Sequence, residues 1–112
     1  MKPLELALRY MEIFYSEKDL EKLTDLLAED LSFIGPLFEF DFAEDYINSL
    51  KKDSPIGMSY EIIKTYEDEN SACLIYQFQK ENISTRMAQW FEVKDEKIYK
   101  IILEFDTKAF MI

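Results

Sequence analysis

A chain of 112 residues with 48% hydrophobic side chains can bury a sizeable core without disulfides or a metal, and only two Gly and three Pro leave little room for linkers. A formal charge of −10, from 23 acidic and 13 basic residues, repels phosphate backbones and anionic membrane surfaces, so neither nucleic acid nor a membrane is an expected partner. The count of zero histidines removes Ser–His and Cys–His nucleophile systems, histidine zinc sites and imidazole acid–base chemistry together.

Pro3 suits a first helical position, and Leu4, Ala7, Leu8, Met11 and Tyr15 follow at helical spacing, while Leu6, Tyr10, Ile13 and Phe14 fill an adjoining stripe. A helix apolar around so much of its girth is expected to be buried on two sides. Ser16 with Asp19 resembles a capping box and predicts a second helix, with Leu20, Leu23, Leu26 and Leu27 facing inward and an end near Glu29. Leu31 to Ile34 reads as a short strand, Gly35-Pro36 as a turn and Leu37 to Phe40 as another strand. Asp41 followed by Glu44 is a second capping signal, for a third helix whose apolar face is Phe42, Ala43, Tyr46, Ile47 and Leu50. The pair Lys51 and Lys52 suits that helix's C-terminus, and Asp53 to Gly57 breaks it.

From Met58 onward come four strand-like runs: Met58 to Tyr66, Ser71 to Lys80, Ile83 to Val93 and Lys97 to Phe105. Their separators are short and polar, which requires antiparallel neighbours, because a parallel crossover needs about a dozen residues or more. The order is therefore αα-ββ-α-ββββ, an α+β layout with three helices packed on one face of a curved, mostly antiparallel sheet. In the last run Tyr99, Ile101, Leu103 and Phe105 alternate with Lys100, Ile102, Glu104 and Asp106, so both faces carry apolar residues and both need cover. Helices cover one face, and a second subunit is the expected cover for the other.

A single Cys73 cannot form an internal disulfide, the N-terminal apolar residues are interrupted by Glu5, Arg9 and Glu12, and no run approaches a membrane span. A cytoplasmic protein is expected. The Asn82-Ile83-Ser84 sequon is then a coincidence, and Cys73 an inert, buried thiol.

The chain resembles the nuclear transport factor 2-like superfamily, and within it the SnoaL-like and ketosteroid-isomerase-like small proteins. The resemblance spans essentially the whole chain. It is carried by Arg9-Tyr10 followed by Asp19-Leu20 and Leu26-Leu27-Ala28-Glu29-Asp30, then Gly35-Pro36, and Lys97-Ile98 leading to Phe105-Asp106. It implies one SnoaL-like domain over residues 1–112, a cystatin-like cone with a conical pocket between sheet and helices, and a homodimer. In ketosteroid isomerases a helix-borne Tyr, here Tyr10, donates to an oxyanion, but the positions of the base and of the third group fall at about Gly35 and near Gln89. In SnoaL-like polyketide cyclases an acidic residue near the end of the last strand is the general acid–base, and counting from Lys97-Ile98 places Asp106 there. Epoxide-hydrolase-like relatives use an Arg-x-Asp pair on a middle strand, which neither Tyr76-Gln77-Phe78 nor Arg86-Met87-Ala88 supplies.

Asp106 is accordingly the candidate catalytic residue: a carboxylate in a cavity wall has its pKa raised by desolvation, whereas a strand-end Asp can equally cap the following turn at Thr107. Glu104 lies two residues away on the same strand face, as half of a carboxylate pair or of an acidic surface. Tyr10, Phe14, Tyr46, Gln89 and Trp90 are candidate ligand-lining residues, with core packing the competing role for the tyrosines. Arg86 is placed to pair with Glu104 or Asp106. Asp41 is accounted for as a helix cap, no oxygen-cage spacing points to calcium, and no metal or cofactor is expected. The sequence therefore predicts a domain that binds a small apolar or amphipathic molecule, with acid–base chemistry through a carboxylate. The alternative is a non-catalytic dimeric binding or protein-interaction module of the same fold.

Overall fold

The computed structural model describes residues 1–16 and 19–110. Helix α1 (Pro3–Ser16) begins at the proline, and the Leu4 N–H, which has no acceptor within the first turn, donates to Glu67 Oε2 at 2.9 Å. Its buried stripe, Leu6, Ala7, Tyr10, Met11 and Ile13, packs on the sheet.

The predicted second helix is shorter than its leucines suggest. Only a 3₁₀ helix, Leu20–Asp25, forms, and strand β1 (Leu27–Ile34) starts where the helical pattern was expected to continue. The sheet decides this. The Ile98 N–H donates to the Leu26 carbonyl at 2.8 Å, the Lys97 amine donates to the Asp25 carbonyl at 2.6 Å, and Leu27 pairs in parallel with Ile98. Ser16 ends α1 instead of capping a new helix: its Oγ donates back to the Ile13 carbonyl at 2.9 Å, and Asp19, the residue before the 3₁₀ helix, makes no side-chain cap. Residues 17 and 18 of the predicted helix lie outside the described residues.

Strand β2 (Glu39–Phe40) returns antiparallel to β1 across a turn in which the Gly35 N–H donates to the Phe38 carbonyl at 2.9 Å. A side chain at Gly35 would meet the Phe33 ring at 3.3 Å. Helix α2 (Ala43–Lys52) follows with Phe42, not Asp41, at its N-cap, in extended conformation and without a side-chain cap. Glu44 and Asp45 in the first turn and Lys51 and Lys52 in the last complement the helix dipole instead. The break after α2 ends at Gly57, whose φ of +81° favours glycine.

The meander consists of β3 (Met58–Glu67), β4 (Ser71–Lys80), β5 (Ile83–Lys94) and β6 (Lys97–Phe105), each antiparallel to the next. The six strands form one sheet in the order β2-β1-β6-β5-β4-β3, with β1 parallel to β6. Each expected meander boundary falls within one residue of the observed one, whereas β1 starts four residues before the expected Leu31 and β2 two residues after the expected Leu37. A final 3₁₀ helix, Thr107–Phe110, folds back against β5.

Strand periodicity then sorts the side chains. Ala72, Leu74, Tyr76 and Phe78 of β4, with Met87, Gln89 and Phe91 of β5, are buried on the face that α1 covers. The register pairs Gln89 with Leu103 and Met87 with Phe105, so these two β6 residues share that inner face. Trp90 and Ile102, and likewise Ala88 and Glu104, are paired on the outer face. Glu92 pairs with Lys100 and Val93 with Ile98, which leaves Tyr99 as an extra residue and turns both Ile98 and Ile101 inward.

Phe91 is fully buried and meets the Tyr10 ring edge-on at 5.2 Å. Phe91→Ala is expected to cost about 3–5 kcal/mol in urea unfolding, by lost burial and a residual cavity. Ile63→Ala, at a half-exposed outer position, should stay within about 0.5 kcal/mol.

Candidate functional site

Four elements bring five polar side chains together inside the fold. Tyr10 comes from α1, Tyr46 from α2, Tyr76 from β4 and Gln89 from β5, all 1–3% exposed, and Tyr15 adds a phenol one turn beyond Tyr10. The Tyr10 and Tyr46 hydroxyls hydrogen-bond to each other, and the Tyr76 hydroxyl donates to Gln89 Oε1 at 2.7 Å. Gln89 also lies within hydrogen-bonding reach of Tyr10, as Tyr15 does of Tyr76. The result is a chain of contacts, Tyr46–Tyr10–Gln89–Tyr76–Tyr15. Among the described residues no buried side-chain polar atom lacks a partner.

Burial pushes the Tyr10, Tyr15, Tyr46 and Tyr76 phenols well above their ordinary value near 10. A neighbouring phenol adds to the shift at Tyr10 and Tyr76, while hydrogen bonding partly offsets it at Tyr15 and Tyr46. All four are therefore neutral at physiological pH. They can donate and accept hydrogen bonds but cannot remove a proton from carbon.

Around the outer end of this chain Phe14, Tyr15, Tyr60, Phe105 and Phe110 are only partly buried, packed on the buried Tyr10 and Phe78. Phe14 stacks on Tyr10 with ring centroids 5.9 Å apart, Tyr15 lies 4.5 Å from Tyr60, and Phe110 sits 5.7 Å from Phe78 and 5.0 Å from Phe105. These rings form an aromatic rim.

Three of the sequence-predicted lining residues, Tyr10, Tyr46 and Gln89, meet in the interior, and Phe14 joins the rim. Trp90 and Glu104 do not: with Gln89, Leu103 and Phe105 turned inward, strand alternation sends both to the outer face, where Glu104 is exposed. Asp106 is exposed just past β6, and its Oδ1 accepts the Lys108 N–H at 3.0 Å, the geometry of a turn cap. Glu104 and Asp106 are thus not brought to the phenol chain. Arg86 is exposed opposite Gln77 and pairs with neither carboxylate. Sequence reasoning missed Tyr76 and Tyr60. The inward alternation of Ala72, Leu74, Tyr76 and Phe78 carried the signal for the first, and antiparallel pairing of Tyr60 with Phe78 that for the second.

Cys73 is half-buried on the outer face, where desolvation raises its pKa. Among the described residues no cluster of three acidic or Cys side chains is grouped to hold a metal, and no helix is long and apolar enough to cross a membrane.

Three helical segments on a curved, six-stranded sheet with a polar-cored, aromatic-rimmed inner face define the nuclear transport factor 2-like class of α+β fold. The chain belongs to the SnoaL-like domain family, whose model matches residues 7–101. No curated protein sequence matches the chain. Among solved structures it is similar to an NTF2-like protein of unknown function from Cytophaga hutchinsonii (20% identity, 100% of this chain and 96% of that one, TM-score 0.86). It is also similar to an NTF2-like protein of unknown function from Mesorhizobium loti (14% identity, 93% and 90%, TM-score 0.80). An LEH-like epoxide hydrolase of M. tuberculosis shares the fold at 15% identity over 94% of this chain and 83% of that one, with a TM-score of 0.78. At these identities the likeness is one of fold.

The raised phenol pKa values make stability depend on alkaline pH. Between the unfolded value near 10 and the higher folded values, the unfolded chain releases phenolic protons that the native chain keeps, so unfolding is favoured as pH rises. Stability from this source is whole below about pH 10 and falls above it. The limiting slope is about 1.4 kcal/mol per pH unit for each of Tyr10, Tyr46 and Tyr76. Urea midpoints measured from pH 8 to 12, with tyrosinate absorbance followed in parallel, should show the buried phenols ionising only on unfolding.

Proposed function

We propose that this chain is a SnoaL-like binding domain that holds a small, largely apolar molecule at the aromatic rim of its inner face, acts as a homodimer, and does no carboxylate acid–base chemistry. The observation that carries this reading is the make-up of the interior. Its polar groups are four phenols and one amide, with Tyr10 bonded to Tyr46, Tyr76 to Gln89 and Tyr15 beside Tyr76, and every described carboxylate lies elsewhere, at least partly exposed. An acid–base catalyst needs a group that exchanges protons near neutral pH, and phenols held above their ordinary range do not. The reading with Asp106 as acid–base requires that residue to leave its turn-capping bond and reach the rim.

Ligand class follows from the lining. Phe14, Tyr15, Tyr60, Phe105 and Phe110 offer flat apolar surface, Tyr15 and Tyr76 offer hydroxyls just inside, and the net charge of −10 disfavours anions. A neutral aromatic or alicyclic molecule with one hydrogen-bonding group fits best. The neutral probe N-phenyl-1-naphthylamine is expected to gain fluorescence on binding the protein. Tyr60→Ala should weaken it about tenfold, the equivalent of about 1.4 kcal/mol, and Trp90→Ala should leave it unchanged. Binding insensitive to Tyr60 would move the ligand away from the rim.

The homodimer rests on the outer face. Consecutive registers line up Tyr66, Cys73, Trp90, Ile102 and Ile34 across five strands. The adjoining row runs from Lys64 through Ile75 and Ala88 to Glu104, so opposite charges stand at its two ends, a self-complementary arrangement for two-fold pairing. Sedimentation at micromolar concentration should give twice the 13.4 kDa chain mass, and Ile102→Lys should return the protein to monomer. A wild-type protein sedimenting as monomer would refute the pairing.

A further inference from the structure

A second concave surface lies away from the rim. An open groove of about 1010 Å³ runs between the 3₁₀ helix Leu20–Asp25, the start of β1 and one face of α2, with Lys97 of β6 beside it. Its floor is apolar: Leu27, Ala43 and Ile47 are buried beneath it and Ala28 is half-buried. Phe42 lines it with 57% of its surface exposed. The backbone of Phe42 has a structural duty, its carbonyl accepting the Tyr46 N–H at 3.1 Å, but its ring is left uncovered.

The charges of the groove are unevenly committed. Lys51 pairs with Glu21 and so ties α2 to the 3₁₀ helix, while the Lys97 amine is held by the Asp25 carbonyl. Glu29, Glu44 and Asp45 are exposed and form no ion pair among the described residues. Glu44 and Asp45 also complement the α2 dipole, but Glu29, on β1, has no such task. An apolar floor, an uncovered aromatic ring and a rim of three unpaired carboxylates complement a cation with apolar side chains beside it. The groove is at the upper limit of the roughly 300–1,000 Å³ typical of small-molecule pockets and is only partly enclosed, which suits a segment of polypeptide.

We infer that this groove docks a basic, amphipathic peptide segment of a partner protein, with Lys or Arg side chains against Glu29, Glu44 and Asp45 and an apolar side chain seated beside Phe42. The groove is on the helix side of the sheet, so docking there is compatible with pairing through the outer face and independent of the rim. Fluorescence anisotropy of a labelled peptide alternating lysine and leucine, titrated with the full chain, tests it. The peptide is expected to bind, and Glu29→Lys and Phe42→Ser should each weaken it by about tenfold, the loss typical of a central charged or aromatic contact. Glu61→Lys, the same charge change on the far edge strand β3, should alter binding by less than about twofold. Circular dichroism identical to wild type would show that each variant is folded. No binding, an equal loss from Glu61→Lys, or spermine displacing the peptide with equal affinity would each overturn the proposal. The last two outcomes would reduce the groove to a diffuse acidic field or a site for small cations.

Discussion

The arrangement of this molecule depends on hydrogen bonds that never reach water. Burying a phenol or an amide without a partner costs about 1–3 kcal/mol, so Tyr10, Tyr46, Tyr76 and Gln89 can occupy the interior only because each finds another. Those bonds are directional, and their members come from α1, α2, β4 and β5. Apolar packing alone tolerates sliding and repacking. The polar chain removes that freedom, because shifting α1 along the sheet would strand the Tyr10 hydroxyl. The inner face is thereby held as a fixed surface against which the partly buried rim aromatics are presented.

Fixing Gln89 inward has effects well beyond the core. Side chains alternate along β5, so Trp90 must emerge on the other side, and the cross-strand register transmits the choice to Cys73 and Ile102. The single decision that one amide is satisfied inside the fold therefore composes the outer apolar row. Inner and outer surfaces are two readings of one alternation, and neither can be changed by a register slip without the other.

Much of this was legible in the residues, and the failures are instructive. The meander was readable because its runs are long, rich in β-branched and aromatic residues, and separated by turns too short for anything but antiparallel return. The stretch from Leu20 to Glu29 was not, because leucines spaced for a helix also serve a strand, and the deciding bonds come from Lys97 and Ile98, some seventy residues away. Asp41 carried a capping signal, yet the helix starts one residue later, under Phe42. At the candidate site, Tyr10, Tyr46 and Gln89 could be nominated from apolar stripes and family resemblance. The faces of Trp90 and Glu104 could not, because β6 is apolar on both sides and the extra residue at Tyr99 shifts its alternation near the start of the strand. Asp106 sits where the strand pattern ends, and there a local bond to Lys108 outweighs any extrapolation of that pattern.

The bulge in β3 has a bearing on how copies of this chain can meet. β3 is the long free border of the sheet, and an uninterrupted ribbon with open amides invites another ribbon alongside. Ile62 is matched to Tyr76 and Lys64 to Ile75, so Ile63 is an unmatched insertion that kinks this border at its middle, with the charged Glu61 and Lys64 on either flank. At the opposite border β2 spans only Glu39–Phe40. Lateral growth into filaments is thus discouraged at both margins, which leaves the broad flank carrying Trp90 as the surface for the proposed pairing of two copies.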